Sequence, residues 1–440
     1  MALGGVFMYD TDGNIGSSQL VETEQVSGLI FDISGQAEIW TGAPGSTLKD
    51  KLQGKVIEIN SMADLKELGL VKAVEGKESE AFLFGIPYYH IERYFQIVGE
   101  YGRLFIMFAD CKSNWDAINQ MQTAANGIIN QIGIWTEKPL WNKGDGTGGT
   151  YTVELVGELN SKAKELSDAN TPVSILLTAN AATVKTDSGT EKKVDLSKIP
   201  TCKLQSRYVS IILGQELSTA VTKMHYANKT TGCPVGCIGA VLGLTALAFV
   251  SDSIAWVQRY NLASLIPDIE FGFGDLTESS SNYTSTLKYS AVNKVQLDTL
   301  DDKGYMFLCK YPGIEGGVFV SRDQTCADET SDYRTIARNR TIHKSRRSVR
   351  KALLPYVHSP LKVDPSTGML SSAKITEFSN IVSDILKTMQ DADEISGYSV
   401  NIDKNQNVLK NDSLIIKYSI IPIGVASRIE VYEGLALTNK

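Results

Sequence analysis

The stretch Val235–Val250, VGCIGAVLGLTALAFV, is almost wholly apolar, and its reading decides the fold. At about 16 residues it falls short of the ~20 that a helix needs to cross hydrocarbon. It also passes directly into Ser251, Asp252 and Ser253. Gly236, Gly239, Ala240 and Gly243 suit a helix pressed tightly against a sheet, so the stretch reads as a core helix of a soluble α/β domain. No membrane insertion is expected.

The residues upstream supply that sheet. Val56–Ile59, Arg103–Phe108, Ile132–Thr136, Pro172–Leu177 and Tyr208–Leu213 read as strands; helical patterns begin at Met62 and run over Asn114–Asn130 and Glu154–Ser167. Strands alternating with helices predict a largely parallel sheet over residues 50–265. The loops 142–152 and 179–200, rich in Gly, Thr, Lys and Asp, read as exposed insertions, and 266–303 as a connecting segment.

Residues 1–48 read as an arm. They carry two short β-like runs, Val6–Tyr9 (Val6, Phe7, Met8, Tyr9) and Gly28–Ile33, parted by a polar turn-rich segment. An isolated strand leaves its ladder groups unsatisfied, so both runs need a sheet elsewhere.

From 304 to 440 the rhythm changes. Gly304–Lys310 and Gly316–Val320 read as paired strands, and Ser372–Met389 as an amphipathic helix. Tyr398–Asp403, Leu414–Ile421 and Arg428–Leu435 read as closing strands. In the last, Ile429 and Val431 alternate with Arg428, Glu430 and Tyr432, as in a half-buried strand past the break at Pro422 and Gly424. Two helices on one side of a mixed or antiparallel sheet make a C-terminal α+β domain.

The first of those two helices carries the strongest charge feature. Eight of the eighteen residues in Arg334–Lys351 (RTIARNRTIHKSRRSVRK) are Arg or Lys, no acid lies between Asp332 and Asp364, and the whole chain is at −7. At 100° per residue Arg340, Lys344, Arg347 and Lys351 share one line, flanked by His343, Arg346 and Arg350, opposite Ile342, Val349, Leu353 and Tyr356. The pattern predicts an apolar stripe that docks the helix and a free basic face that meets an acidic partner.

Catalytic constellations are absent from the sequence. His90, His225, His343 and His358 are scattered, with no metal-ligand pair and no nucleophile motif nearby. Gly144, Gly146 and Gly149 match a dinucleotide-loop spacing, but no strand leads into them and Thr150–Leu155 reads as extended where a helix must start. There is no Walker motif. The six cysteines, including the Cys233 and Cys237 pair in CPVGC, have neither redox nor zinc spacing and read as buried thiols. No secretory signal precedes them, which fits folding in a reducing compartment. No metal, cofactor or enzymatic activity is expected.

The C-terminal third resembles the sheath proteins of contractile tails. The likeness runs through GYMFLCKYPGIEGGVFVSRDQTC (304–326), DYRTIARNRTIHKSRRSVRKALLPYVHSPL (332–361) and SLIIKYSIIPIGVASRIEVYEGLAL (413–437). It extends to the small-residue helix followed by Trp256 and Asn261, although the spacing there departs from the commoner phage pattern. The resemblance implies a homo-oligomer stacked helically around an inner tube, with baseplate and terminator or cap proteins as further partners. It implies contraction without nucleotide, and no specific nucleic acid. Residues before about Val26 and the strand Arg428–Leu435 would pair with a neighbour's strands at 398–421. The basic face, Arg340, His343, Lys344, Arg346, Arg347, Arg350 and Lys351, would point at the tube. The protein would be made in a bacterial cytoplasm and built into a phage tail or injection particle. A nucleic-acid binder with a basic helix is the alternative, followed by an α/β enzyme; the acidic whole and the lack of aromatics among the arginines speak against the former.

Overall fold

The computed structural model describes residues 24–34, 50–70, 78–99, 102–136, 142–143, 151–152, 154–179, 196, 199–217, 235–266, 271–273, 277–279, 282–284 and 287–435. Val26–Asp32 (β1) is buried at every position, as a strand must be when it has neighbours on both sides and layers on both faces. It lies inside an eight-stranded sheet with Val56–Ile59 (β2), Arg103–Ala109 (β3), Gln131–Trp135 (β4), Ser174–Ala179 (β5), Val209–Leu213 (β6), Met306–Cys309 (β7) and Phe319–Val320 (β8). The order is β8-β7-β6-β5-β4-β1-β3-β2. Pairing is parallel from β3 through β1, β4, β5 and β6 to β7, and antiparallel only at the edges, β2 on β3 and β8 on β7.

This order corrects two expectations. Gly28–Ile33 is no orphan: its ladder partners are Phe105–Ala109 and Ile132–Trp135 of the same chain, far downstream in sequence, so the arm of residues 1–48 loses its second run to the body. The pair at 304–320 was expected to open the C-terminal domain. Its first strand instead extends the sheet through Met306 opposite Ile212 and Phe307 opposite Leu213. Asn261 ties the pair down further, its side-chain oxygen accepting from the Val318 and Ala263 amides at 3.1 and 3.0 Å.

Alternation along the strands sends side chains into two cores. On one face Leu29, Phe31, Ile106 and Leu176 pack with Glu78–Val98 (α2) and Ile238–Leu247 (α5); on the other Ile30, Met107, Ile134 and Ile175 pack with Ala117–Ala124 (α3) and Glu154–Asp168 (α4). Met62–Leu68 (α1), closed at both ends by a capping box and an αL Gly69, sits at the β2 edge. The core reading of 235–250 holds, with one refinement: Gly236 meets Thr178 of the sheet, but Gly239 and Gly243 face a helix. A Cβ on Gly239 would lie 2.1 Å from the His90 carbonyl oxygen of α2, and one on Gly243 3.1 Å from that of Tyr94. His90 completes the junction, donating through Nε2 to Val235 O at 2.7 Å and accepting from the Gly239 amide through Nδ1 at 3.3 Å. Burial holds this neutral imidazole down to about 3.

The C-terminal unit comprises Ile336–Leu353 (α6), Ser372–Asp391 (α7), Ile395–Asn401 (β9) and Lys417–Pro422 (β10). Both helices cover one face of the antiparallel β9/β10 pair around Val349, Val382, Leu386, Met389 and Ile395. The α/β and α+β layers anticipated from sequence are thus both present.

Candidate functional site: the basic helix and the open C-terminal sheet

Helix α6 begins where two side chains meet its amides. Thr335 accepts from Arg338 N at 3.2 Å, and Asp323 from Ile336 N and Ala337 N at 3.1 and 3.2 Å. Burial raises the Asp323 carboxyl to about 6, against the lowering pull of those amides and of Arg340.

The face of α6 expected to be free is instead turned into the molecule. Arg340 is only 2% exposed and caps the end of α5, donating through Nη2 to Ala248 O at 3.0 Å and through Nη1 to Phe249 O at 3.2 Å. A cation at a helix C-terminus meets unpaired carbonyls and the negative end of the helix dipole. Thr341 donates to the next carbonyl, Val250 O, at 3.3 Å. Arg347 pairs with the Glu24 carboxylate and donates to Pro172 O at 3.0 Å; Arg346 donates to Ser167 Oγ at 2.7 Å; Lys344 pairs with Glu394. His343 is buried and stacks on Tyr208 with ring centroids 5.8 Å apart. Burial, and then Arg347, Arg207 and Arg346, hold it well below the usual imidazole range.

The prediction of a free basic face is therefore corrected for Arg340, His343, Lys344, Arg346 and Arg347; Arg350 and Lys351 remain exposed. A helical wheel gives angles but not neighbours. The anions and carbonyls that meet this face come from residues 24, 172, 248–249 and 394, and nothing in the spacing within 334–351 announces them.

The second feature is what the closing strands leave open. β9 and β10 make a two-stranded sheet, joined also by Ser399 Oγ and Ser419 Oγ at 2.8 Å. Beyond β10 no further ladder forms among the described residues: Arg428–Leu435, expected as a strand, carries no strand pairing there. Ile429, Val431 and Tyr432 are 81%, 80% and 90% exposed, and Leu435 is fully exposed. Within this segment Arg428 pairs with Glu430 at 2.7 Å and Tyr432 Oη donates to Glu430 at 2.9 Å. The other expected exchange strand, Val6–Tyr9, lies outside the described residues.

At the place where doubly wound sheets bind ligands, the one acidic side chain of β1 is buried and engaged within the fold. Strand order reverses at β1, and Asp32 sits at its carboxyl end, the usual crevice. Its oxygens accept from Thr136 Oγ1 at 2.7 Å, Ser34 N at 3.0 Å and Cys111 N at 3.2 Å. Among the described residues no three His, Cys, Asp or Glu side chains are placed to hold a metal, and no helix is long and apolar enough to cross a membrane. Cys111, Cys202, Cys237, Cys309 and Cys326 are buried and form no disulfide; burial pushes Cys309 up to about 11. Cys233 and the glycines of the 144–149 loop lie outside the described residues.

An α/β body carrying an α+β unit is a fold this chain shares with solved contractile sheath structures. Superposition on solved structures agrees. The helical sheath of the anti-feeding prophage in its contracted state matches at a TM-score of 0.55 and 15% identity, over 99% of each chain. A chain of the six-fold symmetrised baseplate of the same particle matches at 0.55 and 14%, over 99% of this chain and 100% of that one. The sheath complex of an extracellular contractile injection system, PVC, in its contracted state matches at 0.54 and 12%, over 99% and 98%. By sequence, the DUF2586 N-terminal domain matches residues 3–324 and the DUF2586 C-terminal domain residues 332–440, so this chain belongs to the DUF2586 family. The break between those matches falls just before α6, which places the domain boundary past the β7/β8 pair. No curated protein matches in sequence.

Proposed function

We propose that this chain is the structural, non-enzymatic subunit of a contractile sheath, polymerising helically around an inner tube and shortening to drive that tube through a target envelope. The observation that carries the reading is the incomplete C-terminal sheet: a two-stranded ladder beside an apolar, unpaired tail, in a chain whose fold corresponds to sheath subunits from end to end. Burying a side chain of the size of Ile429, Val431 or Leu435 is worth about 1.5–3 kcal/mol, and ladder pairing satisfies the tail's main chain as well. Arg428–Tyr432 inserts beside β9 or β10 of a neighbouring copy, and Val6–Tyr9 does so from another. With most of the basic face internal, the part of α6 turned toward the tube reduces to Arg350 and Lys351. Inner-tube, baseplate and terminator proteins are the remaining partners, and the particle is assembled in a bacterial cytoplasm.

Negative-stain microscopy of the purified chain tests the reading. Long hollow tubes are expected. Monomers that shift DNA in a salt-sensitive manner and never form tubes contradict it and favour a nucleic-acid binder.

A further inference from the structure

Glu24 and Gln25 immediately precede β1, and residues 1–23 precede them in the sequence. The main chain there is held by side chains rather than by a ladder. Glu24 O accepts from Gln131 Nε2 of β4 at 3.4 Å and from Arg340 Nη2 of α6 at 3.5 Å. Gln25 O accepts from Tyr94 Oη of α2 at 3.2 Å and from Ser27 Oγ at 3.4 Å. The Glu24 carboxylate is nearly buried, 9% exposed, and pairs with Arg347, whose other nitrogen holds Pro172 O. An ion pair with so little exposure is poorly screened, and breaking one side strands the other charge. Four elements therefore converge on two residues, and two of the grips come from α6, whose Lys344 reaches on to Glu394 at the start of the β9/β10 pair.

We infer that Glu24, gripped by Arg340 and Arg347, is the anchor through which tension in the N-terminal segment passes to helix α6 and the C-terminal sheet, with Arg347 as its positioning residue. This rests on the sheath reading. A pull arriving from residue 23 meets side chains before it meets the ladder, so β1 is protected from peeling and the load is delivered to α6. In a subunit joined to its neighbours by strands at both ends, the anchor and the β9/β10 sheet are then the two ends of one rigid strut. Two of the arginines of this one-signed helix, Arg340 and Arg347, serve the internal fastening.

The test uses the full chain and the variants Arg347→Met, Glu24→Gln and the exchange Glu24→Arg with Arg347→Glu. In the isolated subunit, hydrogen exchange at the amides of residues 25–27 is expected to rise at least tenfold in both single variants. Exchange in β4 and β5 stays at the wild-type rate, and the charge exchange restores the original protection. In assemblies, both single variants form extended sheaths that stay extended under conditions that contract the wild type. Unchanged exchange at 25–27 in both single variants, or contraction to wild-type length in both, overturns the anchor. If wild-type protein never forms tubes, the sheath reading fails, while the exchange measurement still decides whether Glu24 is fastened.

Discussion

The α/β body and the C-terminal unit are built to different degrees of completion. The body closes both faces of an eight-stranded sheet and ends each edge with a short antiparallel strand, which blunts pairing with other chains. The C-terminal unit has five fully buried apolar residues at its centre, a two-stranded sheet and an apolar tail in solvent. Two strands are marginal by themselves. On the reading proposed above, the contrast teaches that the body folds for itself, whereas the C-terminal unit is a socket and plug that copies of the chain would complete for one another.

Substitutions should separate the two regions. The largest effect belongs to the body: Leu176→Ala, at a fully buried sheet position, should lower unfolding free energy by about 2–5 kcal/mol in urea titration and reduce assembly only through loss of folded protein. Next is the seam between the regions. Lys344→Met removes one side of a partly buried ion pair with Glu394 and should cost about 1.5–3 kcal/mol, with Glu394→Gln non-additive to it in a double-mutant cycle.

Smaller still is the response to pH. His90 and His343 are held below 6.5 in the folded chain, so the stability they contribute is full above 6.5 and is lost as pH falls, because only the unfolded chain takes up their protons. Asp323 works in the opposite sense: raised from 3.8 to about 6, it withdraws stability as pH climbs through that interval. Thermal melts from pH 7 to 4 should show stability declining toward acid, and His343→Phe, which keeps the stack on Tyr208, should make the decline shallower by about 1.4 kcal/mol per pH unit at most. A steeper decline in that variant contradicts the assignment. The smallest effect on folding marks the tail: Ile429→Asp should move the melt of the isolated chain by less than about 0.5 kcal/mol while abolishing tubes.

What the sequence disclosed follows from the range of the forces involved. Periodicity is local, so Val56–Ile59 and the α7 helix were legible nearly to the residue, and the helix in 235–250 to within about three residues at each end. Gly28–Ile33 read as an orphan because its partners lie far downstream in sequence and only the folded sheet brings them together. Helix α2 went unread: Pro87 sits inside it, where proline ordinarily signals a break. The charge of α6 was plain, but its destination was not. Glu24, Asp323 and Glu394, which meet that charge, belong to three other segments, and the stretch containing Glu24 read as a detached arm.

The socket-and-plug account is tested most directly by hydrogen exchange at the amides of residues 428–435, compared between assembled tubes and dissociated subunits. The account predicts solvent-like exchange in the subunit and protection by at least a hundredfold in the tube, with matching protection along one edge of β9/β10. Tubes in which 428–435 exchange as fast as in the free subunit would contradict it.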